Sequence, residues 1–185
     1  MPPYRNICAG LLVHQSGLPV RHFIAACNAN DVVHTYLQSG NYQPKPAIPT
    51  LSNAMDVGNP SNFFRILELF SHQFTSLKQK ISSFSISDEA TKQSIKQVYE
   101  TQNYLLDPHG AVGYLSLKEY LRERRDQKGI FLATAHPVKF YDAIEPLIGK
   151  PIELPPSVLD LQGKKKISIK IETDFDSLKE ILLNN

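Results

Sequence analysis

The run Phe23-Ile-Ala-Ala-Cys27 narrows the choice of fold more than any other feature of this chain. It lies at the end of segment 20–27, just after the break at Gly17-Leu-Pro19, and gives way at once to the polar Asn28-Ala-Asn-Asp31. An unbroken apolar run of this length suits a strand buried on both faces, and a parallel sheet flanked by helices supplies that burial. Helical patterns surround it. Residues 6–16 read as a helix stopped by Gly17 and Pro19. A second runs over 31–39, with Asp31 as its cap and Gly40 as its stop. A third opens at Asn59-Pro60, with Phe63, Ile66, Leu67, Phe70 and Phe74 on one stripe.

Further helices are expected over 87–103, from Asp107-Pro108 to the cations Arg122, Arg124 and Arg125, from Pro137 to about 147, and over 174–183. Gly129–Ala133 reads as a second buried strand. Ile167, Ile169 and Ile171, alternating with Ser168 and Lys170, read as a half-exposed one. The expected fold class is therefore α/β, a mainly parallel sheet with flanking helices. Its main portion covers 6–150, and a terminal strand and helix cover 151–185.

Composition excludes some functions. Hydrophobic residues make up 42% and charged residues 21% of the 185, which suits a packed core rather than disorder. The net charge of +2 shows no basic face, so nucleic acid is not an expected partner. Ile7–Val13 is too short to span a membrane and no cleavage site follows it, so a soluble, cytoplasmic protein is expected. Cys8 and Cys27 sit in apolar surroundings without metal or disulfide spacing and read as core residues in a reducing compartment. No metal site is expected.

Ligands of open α/β sheets bind beyond the carboxyl ends of the strands. Three polar segments are candidates for that place: Asn28 to Asp31, the loop 50–62, and Thr134-Ala-His136-Pro137. Each also has a plain reading. Asn28, Asn30 and Asp31 can make a turn and a helix cap; Ser52, Asn53 and Asp56 can stabilise their own loop; Thr134 and His136 can bond neighbouring backbone. These patterns alone name no reaction.

Five segments together resemble threonine synthase: Ile7-Cys-Ala-Gly-Leu-Leu with Gly17-Leu-Pro, Asn28-Ala-Asn-Asp31, Thr50-Leu-Ser-Asn-Ala-Met-Asp-Val-Gly-Asn-Pro-Ser-Asn-Phe63, Asp107-Pro-His-Gly-Ala-Val-Gly-Tyr114 and Thr134-Ala-His-Pro-Val-Lys-Phe140. Their order matches the family's carboxyl-terminal part. The resemblance implies the second major fold type of pyridoxal-phosphate enzymes and the conversion of O-phospho-L-homoserine and water to L-threonine and phosphate, with the cofactor as electron sink. It assigns Thr134 as the hydroxyl facing the pyridine nitrogen, a neutral partner that leaves this nitrogen largely unprotonated. It places Asn28, Asn30, Ser52, Asn53, Asp56 and His136 on the substrate side of the cleft or just behind it.

The family's Schiff-base lysine has no counterpart here, and Lys139 lacks its context. Where the family's Gly-Asn phosphate loop would precede Asn6, the chain reads Met1-Pro-Pro-Tyr-Arg5. Phe64 and His34-Thr35 stand where the family commonly has proline. The expectation is thus a truncated form, inactive alone and without covalently bound cofactor, which self-associates through the surface left by the missing part. Two alternatives are a threonine-synthase-like lyase acting on a related phosphorylated amino acid and a non-catalytic, self-associating domain.

Overall fold

The computed structural model describes residues 4–161 and 163–184. One compact unit ends at Ile152, and a second begins at Glu153. In the first, α1 (Arg5–Gln15) leads into β1 (Phe23–Cys27), followed by α2 (Val32–Ser39), α3 (Phe63–Leu69), α4 (Phe74–Lys80) and β2 (Ile81–Ser85). Then come α5 (Asp88–Gln102), α6 (Pro108–Leu121) and α7 (Tyr141–Ile148). The second unit holds the short α8 (Pro156–Leu159) and α9 (Phe175–Asn184).

β1 and β2 pair in parallel, Phe23 opposite Ile81 and Cys27 opposite Ser85. Everything from α2 to α4 forms the crossover between them, as a parallel pair requires. Ala25 and Ile81 join Leu11, Val33, Leu37, Phe63, Ile66 and Leu77 in one apolar core. Ile95, Val98, Leu106, Ala111, Phe140 and Ile144 form a second among α5, α6 and α7. Both cysteines are buried and unpaired. Burial pushes the Cys27 thiol up to about 11, which leaves it unreactive near neutral pH.

The α/β class and the parallel pairing hold, and the helix stops fall where glycine permits them: Gly40 ends α2 in the left-handed conformation at φ 74°. The Asp31 side chain, expected to cap α2, makes no cap bond; it pairs with Lys45 at 3.6 Å instead. The helix expected from Asn59 through Phe74 is two helices. Ser71 and His72 take φ of 48° and 56°, and the His72 N–H turns back to the Leu67 carbonyl, ending α3 before α4 starts. β2 was not expected, because Ile-Ser-Ser-Phe-Ser lacks an apolar run. Its buried Ser83 is tolerable because His34 Nδ1 lies 3.0 Å from Ser83 Oγ.

Two expected strands are not formed. Gly129–Ala133 pairs with no described strand, and Ile130 and Leu132 are 91% and 61% exposed. Phe131 turns inward against Tyr114, with ring centroids 5.8 Å apart. The segment thus alternates one inward and two outward apolar residues without a ladder partner among the described residues. Ile167–Ile171 likewise lies outside any strand, with Ile167 90% exposed. Alternation marks a face to be covered, but a strand also needs a neighbouring backbone to bond.

Candidate functional site

β1 ends at Cys27, and the next residues leave the sheet at its carboxyl edge with their side chains turned inward. Asn28 is 1% exposed and Asn30 8%. The Asn28 amide nitrogen lies 2.8 Å from Thr50 Oγ1, 2.9 Å from Ser52 Oγ, 2.8 Å from Asp56 Oδ1 and 3.4 Å from the Ser52 carbonyl, so its two hydrogens are shared among four oxygens. Asn28 Oδ1 accepts from the Asn30 backbone N–H at 2.8 Å, which fixes the orientation of the side-chain amide. Asn30 grips the loop backbone from both sides: its amide donates to the Ile48 carbonyl and its oxygen accepts from the Ile48 N–H.

Asp56 sits at the centre. Oδ1 accepts from Thr50 Oγ1 at 2.7 Å and from the amides of Asn28 and Asn30, while Oδ2 accepts from the Thr50 N–H at 2.8 Å. These donors are all neutral dipoles; Lys45, the nearby cation, is engaged with Asp31. A carboxylate surrounded in this way is held in position by its hydrogen bonds rather than by an ion pair.

The loop is fastened at two further points. Asp88, in the first turn of α5, accepts from the Leu51 N–H at 3.2 Å, and the Ala54 N–H points at His109 Nε2, also 3.2 Å away. Gly58 allows the close return: the Lys45 N–H donates to its carbonyl at 3.0 Å, and a Cβ at position 58 would run into the Lys45 carbonyl. The segment 45–58 is therefore a rigid structure tied to β1, α5 and α6, despite having little regular secondary structure.

Of the residues marked in the sequence, Asn28, Asn30, Ser52 and Asp56 come together in this one network. Asn53 is in the short 3-10 turn Asn53–Met55 and points outward, exposed. Thr134 is exposed just before a second 3-10 turn, Pro137–Phe140, and no described residue bonds its hydroxyl. His136 caps that turn, its Nδ1 accepting from the Val138 N–H at 3.2 Å. Sequence reading missed Thr50, Asp88 and His109. Asp88 opens a helix, where an acidic residue is ordinary, and His109 lies inside a matched motif with no signal of its own.

The family model described as threonine synthase, C-terminal, matches residues 110–182. Threonine synthase of Haemophilus influenzae is 41% identical over 184 residues, covering 98% of this chain and 42% of that enzyme. The crystal structure of the Escherichia coli threonine synthase superposes with a TM-score of 0.81 at 36% identity, covering 97% of this chain and 41% of that one. This chain is similar to threonine synthases along nearly its whole length. It corresponds to the family's carboxyl-terminal part and spans about two fifths of the length of the relatives it matches. A pyridoxal-phosphate-bound threonine synthase from Brucella melitensis also superposes, with a TM-score of 0.80 at 27% identity, over 99% of this chain and 45% of its own. No helix among the described residues is long and apolar enough to cross a membrane.

Proposed function

We propose that this chain supplies the carboxyl-terminal side of a threonine synthase active site, which forms L-threonine and phosphate from O-phospho-L-homoserine and water. The observation that carries the reading is the similarity along nearly the whole chain to threonine synthases, joined to a polar network built from the motif residues at the carboxyl edge of β1. The lysine that holds pyridoxal phosphate, and the loop that cradles its phosphate, belong to the part of the family's length outside these 185 residues.

The exposed, unbonded hydroxyl of Thr134 fits a pyridine nitrogen: it can give or accept one hydrogen bond and carries no charge. Pyridoxal phosphate, when bound, supplies the electron sink for carbanion chemistry. The role of this chain is orientation. Asn28, Asn30 and Asp56 hold the loop rigid so that Asn53, at its exposed turn, can meet the substrate at a fixed place, and His136 sets the turn that follows Thr134. Positioning of this kind contributes through effective concentration rather than through a proton transfer.

By itself the chain is proposed to be inactive and to associate through apolar faces such as that of Ile130 and Leu132. The test is pyridoxal phosphate added to the purified chain, followed by borohydride reduction and intact mass. No stoichiometric cofactor mass is expected to remain. A single lysine carrying it would overturn the assignment of the cofactor's anchor to another segment.

A further inference from the structure

His109 stands between two segments of the proposed site, and its contact with the loop has so far been described on one side only. Its side chain is 10% exposed. Nε2 faces the Ala54 N–H of the 3-10 turn in loop 45–58, and its ring packs on Phe140 with centroids 5.1 Å apart, in the turn that follows Thr134. Nδ1 lies 3.0 Å from Asp107 Oδ1. An amide N–H can only donate, so Nε2 must present its lone pair, and the proton of the neutral ring must be on Nδ1, directed at Asp107. Asp107 is 2% exposed and is itself fixed, because the same oxygen also accepts the His109 backbone N–H at 2.9 Å. Pro108 locks the geometry of this first turn of α6. The groups facing the ring are therefore Asp107 from its own helix, the Ala54 amide from the loop and the apolar Phe140 from the turn.

We infer that His109 is a positioning residue: a neutral ring, held by Asp107, that accepts the Ala54 N–H and sets the turn bearing Asn53 against the segment running from Thr134 to Phe140. The inference rests on reading these two segments as parts of a threonine synthase site. It does not make His109 a catalytic residue, since its nitrogens are both engaged by protein atoms.

Two substitutions separate its two nitrogens. His109→Gln can place an acceptor where Nε2 stands, whereas His109→Asn reaches only the Nδ1 position, keeping a donor for Asp107 and leaving Ala54 without a partner. In the nitrogen-15-labelled chain, ring correlations are expected to show the neutral Nδ1–H form near neutral pH. Exchange of the Ala54 amide is expected to quicken roughly three- to tenfold in His109→Asn, the range for one lost hydrogen bond, and to stay near the parent rate in His109→Gln. Amides of Ile95 and Val98 in α5 should be unchanged in both. In the catalytically complete protein, His109→Asn should raise KM for O-phosphohomoserine more than it lowers kcat, with His109→Gln restoring it. A ring in the Nε2–H form, a charged ring, or equal Ala54 exchange in His109→Asn and the parent would overturn the inference. If His109→Asn loses structure throughout, the ring form in the unsubstituted chain still decides. The ring and exchange measurements need neither cofactor nor substrate, so they can fail while threonine formation stands, and the reverse.

Discussion

Gly58→Ala is expected to unseat the loop 45–58 and to destabilise the chain by about 2–4 kcal/mol, well above the central value for single substitutions. The cause is space. The added Cβ would meet the Lys45 carbonyl and come within 3.1 Å of the Ala47 nitrogen, and both are backbone atoms that cannot rotate aside. Relief requires separating the two strands of the loop, which breaks the bond from the Lys45 N–H to the Gly58 carbonyl. Gly113→Ala makes the matched control. Its Cβ would touch Phe131 at 3.6 Å, an ordinary contact, and it lies inside α6, where alanine is favoured over glycine by about 1 kcal/mol. Urea unfolding of the two variants should move in opposite directions. Equal stability of Gly58→Ala and the parent would mean that the loop is not packed as described.

Asn28→Asp exchanges a single side-chain group and should be at least as damaging. It removes the amide that serves Thr50, Ser52 and Asp56, and it puts a second carboxylate 2.8 Å from Asp56 Oδ1 in a buried place. Two like charges so close cannot both remain ionised, and one carboxyl must take a proton at a raised pKa. The cost at neutral pH is expected to be about 3–5 kcal/mol, the range for leaving a buried charge uncompensated. The sign of the pH dependence follows from that proton. The folded variant binds it more tightly than the unfolded chain does, so the loss should be greatest near neutral pH and shrink as the solution is acidified towards the ordinary carboxylate range. Asn28→Ala, which adds no charge, should lack this recovery. Denaturant midpoints of the three proteins between about pH 5 and pH 7.5 would test this; parallel curves for Asn28→Asp and Asn28→Ala would show that Asn28 does not face Asp56.

Much of the site was legible because its residues form a contiguous motif at a place where topology puts ligands. The apolar run to Cys27 announced β1, and the Asn-Ala-Asn that follows it had to stand at the carboxyl edge of the sheet. The loop from Thr50 to Gly58 was marked by its length and polarity. What sequence could not give was the pairing. Asn28 and Asp56 are in one network because the chain passes through α2 and then folds the loop back against the end of β1, and no local pattern encodes that distance. Asp88 and His109 escaped for the same reason: each looks like an ordinary helix-start residue until the loop is laid against it.

The strand errors have a different origin. Ser82, Ser83 and Ser85 hid β2, because its stability comes from pairing with β1 and from the His34–Ser83 contact rather than from apolar content. Ile130 and Leu132 suggested burial that the described residues do not provide. The apolar pattern there turns only Phe131 inward, against Tyr114. It was misassigned to a strand within the sheet, although the surface it marks faces outward.

The central claim is that these residues form the carboxyl-terminal side of a threonine synthase site. Its most direct test supplies the remaining length, the amino-terminal part of a related threonine synthase, as a separate chain together with pyridoxal phosphate and O-phosphohomoserine, and then measures the products. Threonine and phosphate in equal amounts are expected when both chains are present, with neither chain active alone and with activity lost in Asn28→Asp. A stable complex of the two chains that releases 2-oxobutyrate in place of threonine, or that leaves the substrate untouched, would contradict the account.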